Sequence, residues 1–225
     1  MSNEIHLRLP TRLSPSTPTT PTPPTAADAT PADSSGLSST IPLLGTWYVL
    51  SSSVDYWRDK RNVSISYALA SDPAQSKEIN SANVDFTKDF ALKSVASYQS
   101  ISGEDCEKVD TIDGTDRPIP NSPPGTITWR GTGFIKFLSN RWEILGYGNV
   151  PGESGELKRE GDDQAMWMLI FADKSMLAAS SLNLQTKGTK ALSARNMELI
   201  KKALRDLDNK ELQECSEKMV DILQE

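Results

Sequence analysis

Apolar residues are sparse up to Thr40 and then recur in short runs broken by polar stretches, so a packed region is predicted to begin at Leu43-Leu44-Gly45-Thr46-Trp47-Tyr48-Val49-Leu50. Gly45 lets the backbone pass close to a neighbour, and Trp47 falls on the same strand face two residues later. Strict alternation over Asn62–Leu69 puts Val63, Ile65, Tyr67 and Leu69 on one side of a second strand. Asn83–Phe90 and Leu92–Ile101 read as weaker third and fourth strands, followed by a long Asp/Pro/Gly-rich loop over Ser102–Gly125. Thr126–Leu138 reads as one long strand bent at Gly131-Thr132-Gly133, and Ser139-Asn140-Arg141 as a turn. Trp142–Gly148, Gln164–Ala172 and Leu182–Lys187 complete a count of eight, with a Gly/Glu-rich loop, Asn149–Asp163, between the first two. The period then changes. Met197, Ile200, Ala203, Leu204 and Leu207 recur at helical spacing after Ser193, a good N-cap, and Leu212, Cys215, Met219, Ile222 and Leu223 suggest a second helix.

The pattern predicts an all-β fold, an eight-stranded antiparallel up-and-down barrel, with C-terminal α-helices packed on it. Residues 41–190 form the barrel and 191–225 the helices. Residues 1–40 form a disordered leader, because Pro10 to Thr40 is nearly all Pro, Thr, Ser, Ala and Asp and cannot bury enough apolar surface to offset its ordering entropy.

The opening Gly45-x-Trp47 strand, placed before this order of elements, resembles the lipocalins and other calycins. Trp142-Glu143-Ile144-Leu145-Gly146-Tyr147-Gly148 and the stretch from Phe171-Ala172-Asp173-Lys174-Ser175 to Leu184-Gln185-Thr186-Lys187 look most like the intracellular fungal lipocalin-like proteins. The resemblance implies a Trp47 plug at a closed end, an open end that admits a small apolar molecule, and a helix packed outside. It also implies a cation stacked on the Trp indole from the end of the last strand, where the family has Arg and this chain has Lys187. Secreted members join a mid-barrel segment to the C-terminal one by a disulfide, which would pair Cys106 with Cys215. Without a secretory signal the residues themselves favour two reduced thiols.

Composition narrows the function. The one histidine, His6, lies in the leader, which removes imidazole catalysis and His-held haem or zinc from the barrel, and two distant cysteines make neither a zinc site nor a redox pair. No phosphate-binding glycine motif is present. No metal and no cofactor are expected. A net charge of −6 without a basic stripe argues against a nucleic-acid partner. No apolar run reaches the length of a membrane span, and the chain reads as cytoplasmic. The sequon Asn62-Val63-Ser64 carries weight only in a secreted chain.

An aromatic and methionine set remains. Taking Trp47 as inward, with Val49 and Ser51, the expected lining is Trp47, Val49, Tyr67, Ile127, Trp129, Trp142, Ile144, Met166, Met168, Ile170, Leu182 and Leu184. Such a wall suits a flat apolar guest, so the partner is a small hydrophobic ligand. Two functions fit: binding of a hydrophobic metabolite, and, because related fungal calycins are cyclases, a cofactor-independent cyclase or isomerase acting by shape and positioning. Tyr67, Tyr98, Tyr147, Arg130 or Lys136 could polarise a carbonyl, and Glu143 or Asp173 could accept a proton. A solid core without a cavity is the plain alternative.

Overall fold

A computed structural model describes residues 5–14, 36–70, 82–150, 165–175 and 178–225. Eight antiparallel strands pair in chain order: β1 Gly45–Ser52, β2 Lys60–Leu69, β3 Leu92–Ser100, β4 Asp110–Pro118, β5 Thr126–Gly131, β6 Ser139–Asn149, β7 Met166–Ala172 and β8 Ser181–Lys187. β8 pairs back onto β1, with Asn183 opposite Ser52 and Thr186 opposite Tyr48, so the sheet closes into a barrel. Two helices follow: α1 Ala194–Asp206, capped by Ser193 Oγ accepting from the Asn196 N–H at 3.2 Å, and α2 Lys210–Glu217, capped in the same way by Asn209.

Two of the eight strands differ from the sequence pattern. Asn83–Phe90 adds no barrel strand; Val84–Asp85 pairs instead with Thr40–Ile41, and Val84, Phe86 and Phe90 pack with Ile41 and Leu43 across one end. The missing strand is β4, inside the expected loop Ser102–Gly125. Its outward Thr111, Asp113, Thr115 and Arg117 hide an inward Ile112-x-Gly114-x-Asp116 face among polar residues. Nor is Thr126–Leu138 one bent strand. β5 ends at Gly131, Gly133 adopts φ +58 in a short 3-10 turn, and the residues expected to turn, Ser139-Asn140-Arg141, begin β6. Of the expected Asn149–Asp163 loop, Asn149 ends β6 and the residues after Val150 lie outside the described residues, as does most of the Pro-rich leader.

Trp47 fills the closed end. It is fully buried, its Nε1–H donates to the Leu43 carbonyl at 2.9 Å, and Lys187 Nζ lies 5.8 Å from its ring centroid while donating to the Leu44 carbonyl at 2.7 Å. The opposite end carries the β1–β2, β3–β4, β5–β6 and β7–β8 connections and is open.

Outside the barrel, Trp167, Leu169 and Phe171 of β7 pack with Leu182 and Leu184 of β8 beneath Ile200 and Leu204 of α1 and Leu212 and Cys215 of α2. Part of the expected leader joins this layer. Ile5, Leu7, Leu9 and Leu13 pack against it, and the Arg8 N–H donates to the Leu145 carbonyl at 2.9 Å. The expected second helical stripe stops at Glu217, and the residues after it become part of the sheet. Val220–Asp221 pairs with Ser51–Ser52 where β1 and β2 have diverged, and the Gln224 side-chain amide donates to the Val49 and Val63 carbonyls at 2.8 and 3.0 Å. Residues 220–225 thus fill a seam between the first two barrel strands.

Candidate functional site

The barrel encloses a cavity of about 680 Å³ that opens between Val54 and Trp57 on one side and Phe137 and Leu138 on the other. That is the size of a small-molecule site. Its wall follows from the pairing register, since directly opposed residues share a face. Trp129 stands opposite both Asp116 and Asn140, Trp142 opposite Ala172, and Ile170 opposite Asn183, and all of these line the lumen. Tyr67, Ser94 and Gln185 complete its inner half, with the Tyr67 and Trp142 rings 5.9 Å apart. Gly114 makes room for this wall: a Cβ there would stand 1.8 Å from Trp129 Nε1, so only glycine lets the indole come this close to β4.

Of the expected lining residues, Tyr67, Trp129, Trp142 and Ile170 meet at the cavity. Trp47, Ile127, Ile144 and Met168 belong to the buried cluster beneath it, toward the closed end, with half-buried Met166 packed against that cluster, and Val49 packs with Trp57, Val63 and Tyr98. Leu182 and Leu184 face the other way. They lie under α1 and α2, opposite Phe171 and Leu169, because the helices give this part of β8 an apolar exterior; its lumen-facing residues are Ser181, Asn183 and Gln185. Ser51 is also turned out by a register shift between Leu184 and Gln185, and Ser52 faces in, donating to Asn183 Oδ1 at 2.7 Å.

Most of the expected chemical groups lie elsewhere. Glu143 is on the barrel exterior, 1% exposed, accepting from the Thr11 N–H and hydroxyl at 3.0 and 2.7 Å and pairing with Arg8 at 3.3 Å and Arg141 at 2.8 Å. Asp173 pairs with Arg12 and Arg141 on the same exterior face. Arg130 and Lys136 are exposed, and the Tyr147 hydroxyl donates to the Thr40 carbonyl at 3.4 Å near the closed end. Tyr98 shares a 2.5 Å hydroxyl contact with Tyr56, and burial together with that contact pushes its phenol up.

The acid inside the barrel is one the sequence pattern did not single out. Asp116 is fully buried, lines the lumen, and accepts from the Trp142 Nε1–H at 2.8 Å through Oδ1, while Oδ2 has no hydrogen-bond partner among the described residues. Burial pushes its carboxyl up to about 6, against the opposing pull of Ser94 and Trp142. Tyr67 is pushed up by its own burial and by the nearby Asp116 charge. Asp116 forms no ion pair among the described residues. Period-two alternation across Ile112-x-Gly114-x-Asp116 was the signal that could have found it. Among the described residues, no three His, Cys, Asp or Glu side chains are grouped to hold a metal ion, and no helix is long and apolar enough to cross a membrane.

No family model matches this chain, and neither does any curated protein. Among solved structures it is similar to the siderocalin Ex-FABP, a protein described as functioning through dual ligand specificities, at 10% identity over 82% of this chain and 96% of that one, with a TM-score of 0.46. It is also similar to H1 crustacyanin from the lobster Homarus americanus, at 10% identity over 80% of this chain and 76% of the other, again at 0.46. The chemistry of the lumen stands on this chain's own residues.

Proposed function

We propose that the barrel binds a small hydrophobic metabolite in its lumen, in the manner of the lipocalin-like proteins its sequence resembles, and that it serves fungal specialised metabolism in the cytoplasm. One observation carries the reading: a cavity of about 680 Å³, walled by Tyr67, Trp129, Trp142 and Ile170 and open at one end. A filled core would have no such space, and flat rings at its wall favour a flat apolar guest.

A second reading, a cofactor-independent cyclase or isomerase acting on a polyketide- or terpene-derived substrate, is favoured by Asp116. A carboxyl held near 6 beside a phenol, within an apolar cavity, has the placement and proton affinity of a general base or acid.

The test is native mass spectrometry of protein purified from its own source, followed by organic extraction and mass analysis of what is released. A stoichiometric apolar compound is expected, and incubation of its precursor with the protein then separates binder from cyclase. An empty protein that also takes up no apolar probe would overturn both readings.

A further inference from the structure

The inner wall of the lumen is richer in acceptors than an apolar guest requires. Asp116 Oδ2, Gln185 Oε1 and Asn140 Oδ1 are buried without a well-formed hydrogen bond among the described residues, with the Ser94 hydroxyl near Asp116 and the Tyr67 hydroxyl near Gln185 as their polar neighbours. The three acceptors come from different strands, β4, β8 and β6, yet all line one cavity. Leaving a buried acceptor unmade costs about 1–3 kcal/mol, and more for a charge, so these poorly satisfied acceptors are a cost to the empty barrel.

The charge is equally one-sided. Around Asp116 stand Tyr67 from β2, Ser94 from β3, Trp129 from β5, Asn140 and Trp142 from β6 and Gln185 from β8, none of them cationic. Among the described residues the register places two cations inward: Lys187, held at the closed end by the Leu44 carbonyl and the Trp47 ring, and Lys60, opposite Ser100 at the open end, where it pairs with Asp59 at 2.9 Å beside the Tyr56 and Tyr98 rings. An acidic group in low dielectric needs a counter-charge, and aromatic faces attract cations. Here Tyr67, Trp129 and Trp142 line the same lumen as the carboxyl, Trp142 turning its Nε1–H edge to it.

Resting on the lumenal-binding reading above, we infer that the natural guest is an amphiphilic amine: an apolar ring body with a protonated nitrogen that pairs with Asp116 among Tyr67, Trp129 and Trp142. The ammonium supplies up to three donors to a site that offers acceptors, and its body lies along Ile65 and Ile170.

Calorimetry of the full chain with four probes sharing one ring system tests this: naphthylethylamine, naphthylethanol, ethylnaphthalene and naphthylacetate. The amine should bind about 10- to 100-fold more tightly than the alcohol or the hydrocarbon, and the acid least well. In Asp116→Asn the amine's advantage should vanish while the alcohol's affinity holds, and that retained affinity itself shows the variant to be folded. Amine no tighter than alcohol in the unaltered protein, or a preference that survives Asp116→Asn, would overturn the inference and leave lumenal binding standing. No binding by any of the four would overturn both together.

Discussion

Arg8 and Glu143 meet at 3.3 Å beneath the N-terminal segment, with side chains 8% and 1% exposed, and Arg8 Nε also donates to the Ile144 carbonyl at 2.8 Å. Glu143 is therefore an anchor for residues 5–14. Glu143→Ala would remove the carboxylate that pairs with Arg8 and Arg141 and release two donors on Thr11, and the expected loss is about 3–5 kcal/mol. Urea unfolding measures it, and limited trypsin digestion should cut at Arg8 and Arg12 much faster in the variant. Unchanged stability and unchanged cleavage would sink the anchoring role.

Lys187 ties the last strand to the plug. Lys187→Met removes both the 2.7 Å bond to the Leu44 carbonyl and the cation over Trp47, and should cost about 1–2 kcal/mol. Lys187→Arg, which keeps the cation and its donors, should cost much less. Thermal melts of the two variants make the comparison, and equal losses would mean that shape matters here and charge does not.

Asp116 makes stability depend on pH with a definite sign. Its carboxyl lies at about 6 in the folded chain against an ordinary 3.8, so the unfolded chain gives up this proton first. Stability should fall as pH rises from about 4 to about 6 and then level, by an amount on the order of 3 kcal/mol. Asp116→Asn should remove that decline. Urea midpoints for both proteins across this range decide it, and parallel curves would contradict the burial of the charge.

The two thiols should differ in reactivity. Cys215 is buried on the barrel-facing side of α2, its Sγ 3.2 Å from the Ser180 carbonyl, and burial pushes its thiol up, whereas Cys106 sits half-buried in the β3–β4 connection. With an aromatic disulfide reagent, one thiol should titrate quickly in the native protein and the second only on unfolding. Two equally fast thiols would contradict the placement of Cys215.

Gly114→Val should push Trp129 off β4 into the cavity. Apolar-probe affinity should fall at least about tenfold with little change in secondary structure, because the side chain has nowhere else to go. Unchanged affinity would show that Trp129 does not bound the binding space.

Where side chains alternate in hydrophobicity, the sequence pattern was readable, as for Val63, Ile65 and Tyr67 on β2; β7 is apolar at every position, because one face lines the barrel and the other lies under the helices, so alternation alone could not assign Met166, Met168 and Ile170 to the inside. It failed where the lumen is polar. β4 offers Gly114 and Asp116 to the inside, and β8 offers Asn183 and Gln185 while turning Leu182 and Leu184 to the helices, so the rule that apolar means inward ran backwards. The acid inside the barrel was hidden by the same inversion. Gly146 shows a different limit. A Cβ there would stand 2.6 Å from Leu7 and 2.8 Å from the His6 carbonyl, a contact between distant segments that no local period encodes.

The seam between β1 and β2 reaches beyond the finished structure into how it is made. β1 acquires the partners of its second half only from β8 and from residues 220–225, so its ladder cannot be completed until nearly all of the chain is available. The earliest barrel strand to be synthesised is the last to be satisfied. Pairings of such sequence separation are slow to form, and until they do, Val49 and its neighbours present an unpaired strand edge. The chain's greatest hazard of misassembly therefore falls in the interval between its first strand and its last turn.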